Sequence, residues 1–237
     1  FEQAEQQFRK AVSLGANKRR LLPQLVQSLI VQSKYLQALN EMESYQHNIA
    51  IESDLMPLYG RALVELKRLA EAEELYKSAL DNNTTRVEAL VGLGLLYILN
   101  KKFAAAQSNL ERAVALEPNN SNAWQLLGEI SYQNEAFEKA LEHVNKSLAI
   151  NENDFRSKLL LAEIESQNGN YETAIKAVLD VLESQPDLPN ANLLYAMILQ
   201  KAGRFDDASQ VARKLSSLLS KVDGDRLMNH PSLKLVL

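Results

Sequence analysis

Three histidines, His47, His143 and His230, are the side chains in this sequence whose ordinary titration falls near neutral pH, and so the first candidates for proton transfer. They stand far apart, with no acidic or hydroxyl partner at a recurring distance. That is the pattern of surface and turn residues rather than of a general base. No cysteine occurs, so disulfides, thiolate zinc sites and cysteine nucleophiles are excluded. Gly92-Leu93-Gly94 begins like a phosphate-cradling loop, but no third glycine follows and the flanking residues read as helix, with no strand before them. Asn-x-Ser/Thr triplets at Asn82, Asn83, Asn119 and Asn145 have meaning only in a glycosylating host. The expectation is a non-enzyme with no catalytic residue, no metal and no cofactor.

What the chain does carry is spacing. In residues 87 to 120, Leu90, Leu93, Gly94 and Tyr97 recur at i, i+3, i+4 and i+7, which places them on one helical face. Asn100, Lys101 and Lys102 interrupt that face, and Phe103, Ala106, Leu110, Ala113 and Val114 resume it until Pro118 ends the helix. Two short helices with one apolar seam each cannot bury that seam alone. The remedy is repetition every 34 residues, without insertion or deletion: Ala4, Ala38, Ala72, Ala106, Ala140, Ala174 and Ala208 form one column. Three residues before each stands Phe1, Tyr35, Leu69, Phe103, Phe137, Tyr171 or Phe205. Self-similarity of this kind describes a stack of helical hairpins that bury one another's faces.

The residues at these positions resemble the tetratricopeptide repeat, whose pattern runs W-x2-L-G-x2-Y, then A-x3-F-x2-A, then P. Residues 121 to 154 supply Trp124, Leu127, Gly128, Ala140, Val144 and Ser147, with Ser131 in place of the tyrosine and Glu152 in place of the proline. Residues 87 to 120 supply Leu93, Gly94, Tyr97, Ala106, Leu110, Ala113 and Pro118, with Leu90 in place of the tryptophan. The resemblance covers residues 1 to 222. It implies an all-α fold, a right-handed superhelical solenoid of antiparallel helix hairpins.

The expected organisation is a truncated second helix over residues 1–18, six full repeats at 19–52, 53–86, 87–120, 121–154, 155–188 and 189–222, and a C-terminal cap or tail over 223–237. Pro23 is expected in the first turn of its helix, where a missing N–H does least harm. Tyr45 takes a position that is usually small, and Thr84 one where proline is commonest. Lys158 and Glu165 break the apolar pattern and argue against tight packing of their helix. Asn168-Gly169-Asn170 is an inter-helix turn. Asp223-Gly224-Asp225 is another, and beyond it Leu227, Met228, Leu233, Leu235 and Val236 offer apolar cover for the last repeat.

Composition fits this reading. The 237 residues are 46% apolar and 24% charged, which suits an ordered globular chain. A formal net charge of -4, with Lys18-Arg19-Arg20 as the one basic run, speaks against nucleic acid as a partner. No run of about 18 apolar residues exists to span a membrane. Phe1 stands at the seventeenth position of a repeat, so the sequence reads as a fragment, with room upstream for a targeting segment or lipid anchor.

The resemblance also implies where a partner sits. In this family the first helix of each hairpin lines a concave groove, which carries over to Arg20, Gln24 and Gln27; Asp54, Arg61 and Glu65; Glu88, Val91, Leu95 and Leu99; Asn122, Gln125, Glu129 and Tyr132; Arg156, Leu159, Glu163 and Gln167; and Asn190, Leu193, Met197 and Lys201. One subgroup binds chaperone-tail carboxylates through lysine, asparagine and arginine. Here Gln125 and Leu159 stand where lysine is wanted, and Glu129 and Glu163 where asparagine is wanted. The expected groove instead has an apolar middle, Val91, Leu95 and Leu99 next to Tyr132 and Leu159, edged by Gln125, Glu129, Arg156 and Glu163. Helix packing competes for Leu95 and Leu99.

A further resemblance concerns the N-terminal portion. A helix ending in Leu14-Gly15 followed by Leu21-Leu22-Pro23 is similar to repeat segments of bacterial lipoproteins encoded with exosortase (PEP-CTERM) and exopolysaccharide systems. It implies a non-enzymatic scaffold for a protein or peptide ligand in an assembly of the bacterial envelope, facing the periplasm, with the cytoplasm as the alternative location. Two other readings stand beside it: a regulatory array belonging to a larger enzyme such as a glycosyltransferase, and helical-repeat RNA binding, against which the acidic groove residues speak. Oligomeric state is left open.

Overall fold

A computed structural model of the chain describes residues 2–44, 54–81 and 86–222, and every regular element among them is a helix. The chain divides into two compact units, residues 1–119 and 120–237. The first holds α1 (Glu2–Ser13), α2 (Lys18–Val31), α3 (Tyr35–Glu43), α4 (Met56–Glu65), α5 (Leu69–Ala79), α6 (Arg86–Leu99) and α7 (Phe103–Leu116). The second holds α8 (Ser121–Gln133), α9 (Phe137–Ile150), α10 (Phe155–Gln167), α11 (Tyr171–Ser184), α12 (Pro189–Lys201) and α13 (Phe205–Val222). Tyr45, His47, Asn82, Asn83, Thr84, His230 and the segment 223–237 lie outside the described residues.

Each hairpin is closed by the same turn. Ser33, Lys67, Lys101 and Glu135 have φ of 58, 61, 56 and 57°, and Gly169 and Gly203 have 80 and 77°, so a left-handed residue recurs at every thirty-fourth position. The hydrogen bonds repeat with it. In α2 the N–H of Lys34 reaches Leu29 O at 2.9 Å and that of Ser33 reaches Ile30 O at 2.9 Å. In α10 the N–H of Asn170 reaches Glu165 O at 2.8 Å and that of Gly169 reaches Ser166 O at 3.3 Å. This paired arrangement satisfies two carbonyls that a helix end otherwise leaves open. α1 ends the same way at Gly15, with φ of 90° and Ala16 N–H bonded to Ala11 O at 3.0 Å.

The alanine column is the seam. Ala38, Ala72, Ala106, Ala140 and Ala174 are 0% exposed and Ala208 is 3% exposed. Glycines in three of the first helices let the second helices come close. A Cβ built on Gly128 would stand 2.9 Å from Val144 Cγ2, too near for any side chain but hydrogen. In the first unit the Tyr76 ring is held between Gly60 of α4 and Gly92 of α6, either of which would collide with it through an added methyl group. The aromatic column packs around this seam, with one difference. Phe103, Phe137 and Tyr171 are half-buried, whereas Phe205 is 64% exposed because no later hairpin among the described residues covers the start of α13.

Polar caps fix the starts of α8 and α10. Asn120 accepts from the N–H of Ala123 at 3.0 Å, and Asp154 accepts from the N–H of Ser157 at 3.1 Å. Ser147 and Ser157, both fully buried, lie 2.9 Å apart, and Ser147 also donates to Ser121 O at 3.0 Å, so the small column carries a polar tie between α9 and α10.

Two sequence expectations need correction. Pro23 does not lie in the first turn, because α2 begins earlier, at Lys18, and takes the proline inside it. α10 packs well despite Lys158 and Glu165: Leu160, Ala162 and Ile164 are buried, Lys158 reaches Asp180 at 3.9 Å, and Glu165 accepts from Asn170 Nδ2 at 2.7 Å at the helix end. Long polar side chains spread over a helix flank without displacing the seam.

Candidate partner-binding groove

Helical spacing puts Gln125, Glu129 and Tyr132 on one face of α8, and Arg156, Leu159 and Glu163 on the matching face of α10. These six of the nine expected residues line one trough of the second unit, about 620 Å³ in volume, together with Phe155, Leu188 and Asn190. A neighbouring hollow of about 400 Å³ shares Tyr132, Glu163 and Asn190 with it and runs on to Leu193, Met197 and Lys201 of α12. A polar ladder crosses the ends of the three helices, since Lys201 Nζ donates to Gln167 Oε1 at 3.3 Å and Gln167 Nε2 donates to the Tyr132 hydroxyl at 3.4 Å. The Tyr132 ring leans on Phe137, with ring centroids 5.7 Å apart.

Burial pushes the Glu129 carboxyl above the usual range, while hydrogen bonding from Gln125 and the charge of Arg156 pull the other way. Burial also pushes Glu163 up, and the nearby charge of Glu129 adds to the shift. Arg156 is exposed, with its guanidinium carbon 5.9 Å from the Phe155 ring centroid.

The other three expected residues stand on α6 of the first unit. Val91 and Leu95 are half-buried there, and Leu99 keeps 50% of its surface exposed, so packing within that unit does not claim it. The first unit has its own apolar hollow of about 540 Å³, where the expected groove residues Gln24, Gln27 and Asp54 meet Phe8, Pro23, Pro57 and Leu58. Sequence reasoning missed that wall. The signal was available, because Pro23 and Pro57 occupy the same position of successive repeats.

His143 also differs from expectation. It is half-buried on α9, its Nδ1 lies 3.1 Å from Ser131 Oγ, and burial lowers its pKa. Ser131 occupies the position that the repeat pattern gives to tyrosine, and the smaller side chain leaves space for the imidazole. The His143 ring lies 5.6 Å from that of Trp124, over which Lys146 Nζ stands at 4.4 Å from the centroid. Among the described residues no helix is long and apolar enough to cross a membrane.

Comparison with known proteins agrees with this construction. A sequence profile of the tetratricopeptide repeat matches residues 63–130, 97–164 and 165–218. A search of curated proteins by sequence gives no match. Among solved structures, MamA is 20% identical with a TM-score of 0.57, covering 68% of this chain and 95% of its own. YrrB, a TPR protein with an unusual peptide-binding site, is 18% identical with a TM-score of 0.56, covering 84% of this chain and 97% of its own. A thermophilic TPR protein from Thermus thermophilus, TTC0263, is 21% identical with a TM-score of 0.63, covering 77% of this chain and 99% of its own. At such identities the likeness is one of fold. The profile matches, by contrast, extend from residue 63 to residue 218, well over half of the sequence, and on that ground the chain belongs to the tetratricopeptide repeat family.

Proposed function

We propose that the chain is a non-enzymatic protein-interaction scaffold that holds a peptide or protein segment against the face made by its first helices. The observation that carries this reading is the trough of the second unit, where the apolar surface of Tyr132 and Leu159 stands among the polar side chains of Gln125, Glu129, Arg156 and Glu163. Interfaces concentrate their affinity in such desolvated centres, while exposed ion pairs contribute only about 0 to 1 kcal/mol each. YrrB, a chain of the same fold, has a peptide-binding site, which supports a peptide as the class of ligand here. In the first unit Val91, Leu95 and Leu99 are the corresponding candidates. The lipoprotein-like N-terminal segment supports a place in a bacterial envelope assembly.

The test uses partners captured from native lysate and then purified for titration calorimetry. Tyr132→Ala with Leu159→Glu is expected to weaken binding by about 2 kcal/mol or more while the far-ultraviolet dichroism stays helical. Glu138→Ala, on the second helix α9, is expected to leave affinity unchanged. An affinity that survives the double change and falls with Glu138→Ala places the site elsewhere.

A further inference from the structure

We propose that the trough of the second unit receives a lysine or arginine side chain from an extended peptide, with Glu129 and Glu163 as its counter-charges and Tyr132 and Leu159 as the walls along its stem. This rests on the groove reading above and adds the chemistry of the occupant.

Glu129 and Glu163 occupy equivalent positions of successive repeats, on α8 and α10, and both line the same trough. Each is half-buried, so the free protein keeps two carboxylates partly stripped of water on facing helices. Their environment offers little compensation. A hydrogen bond from Gln125 and the charge of the exposed Arg156 ease Glu129, whereas the charge bearing on Glu163 is that of Glu129 itself, which is repulsive. Lys201 lies in the neighbouring hollow, where Gln167 Oε1 accepts its ammonium proton at 3.3 Å. With Tyr132, these are the titratable groups that α8, α10 and α12 turn toward the hollows.

A ligand that covered the trough with apolar or acidic groups would remove the remaining water from both carboxylates and give nothing back. A cation entering between them replaces that water with charge-assisted hydrogen bonds. A lysine or arginine stem is apolar along its length, which suits the Tyr132 ring and Leu159. A trough of about 620 Å³ has room for such a side chain and an apolar neighbour. A metal ion fits less well, since among the described residues no group of three His, Cys, Asp or Glu side chains is gathered that would hold one.

The test is a phage-displayed library of random octapeptides selected in parallel on the whole chain, on Glu129→Gln with Glu163→Gln, and on Tyr132→Ala with Leu159→Glu. Each variant is first checked by dichroism, with Leu159→Ala held in reserve for the last. The expected result is enrichment of lysine or arginine beside an apolar residue on the unaltered chain. Synthetic versions of those peptides are expected to lose about tenfold or more in affinity on the glutamine pair and to weaken with added salt. Binders that depend on Tyr132 and Leu159, but show no basic enrichment or are indifferent to the glutamine pair, overturn the counter-charge and leave the groove standing. Binders indifferent to Tyr132 and Leu159, or no binder at all, overturn both.

Discussion

Gly94 on α6 and Leu110 on α7 are matched so closely that a Cβ built on the glycine would lie 2.6 Å from the leucine Cγ. Real side chains do not approach to that distance, so Gly94→Ala must push α6 and α7 apart or force Leu110 off its rotamer. The expected cost is roughly 1 to 3 kcal/mol in urea denaturation. Leu110→Ala in the same chain is expected to return part of it, because the two residues share one contact. Ala140→Leu, on the buried column, is expected to cost a similar amount, and Ala104→Leu, on the exposed side of α7, very little. Equal behaviour of the last two would overturn the helical phase.

The left-handed turns give a prediction of opposite sign. Lys101 adopts φ of 56°, which costs a residue with a side chain and costs glycine little. Lys101→Gly is therefore expected to stabilise the chain by about 0.5 to 1 kcal/mol, and Gly169→Ala, at φ of 80°, to destabilise it by about 1 kcal/mol. Chemical denaturation of the two variants side by side checks both signs.

Glu5 ties α1 to the hairpin that follows. Hydrogen bonds from Lys34 at 2.9 Å and Arg9 at 3.0 Å hold its carboxyl down from 4.5 to about 2, against the opposing effect of burial. A carboxylate with a depressed folded pKa contributes stability that is present above its unfolded value of 4.5 and lost as pH falls toward 2. Glu5→Gln is expected to lower stability near neutral pH by about 1 kcal/mol, since its partners Arg9 and Lys34 are themselves open to solvent. Below pH 2 the variant and the parent are expected to melt together.

Glu163 titrates the other way. Its carboxyl is raised above 4.5 by burial and by Glu129, so the folded state favours the protonated form. That contribution is present below 4.5 and is lost as pH rises through the raised value. Glu163→Gln is expected to stabilise the chain near neutral pH by up to about 1 kcal/mol and to make no difference near pH 3.5. A loss of stability near neutral pH would show an ion pair supporting the carboxylate.

The hairpins were legible in the sequence because their cause is repeated: one alanine column and one aromatic column, at a constant period, leave few ways to bury the seam. The left-handed state of the turns is marked in the sequence only where glycine stands, at Gly169 and Gly203, since Ser33, Lys67, Lys101 and Glu135 adopt it under the demand of the hairpin and carry no mark of it in their identity. The beginning of α2 was missed for a related reason. Leu22, just before the proline, is fully buried within a helix that already runs from Lys18, so Pro23 does not mark where the helix starts. Residue positions along the groove came from the resemblance to the repeat family, but the strain on Glu129 and Glu163 depends on how much water reaches them, which residue types do not encode. The pairing of His143 with Ser131 joins two helices twelve residues apart, outside any motif.

Trp124 is the one tryptophan of the chain, and it lies against His143 and Lys146 of α9. Intrinsic fluorescence excited at the indole band is therefore a local observable that reports the α8–α9 hairpin alone, whereas dichroism averages over every helix. In an array whose members contact mainly their neighbours, the two signals need not change together on heating. The gap between the two melting curves is a ruler for how far opening of one hairpin runs ahead of, or behind, the rest.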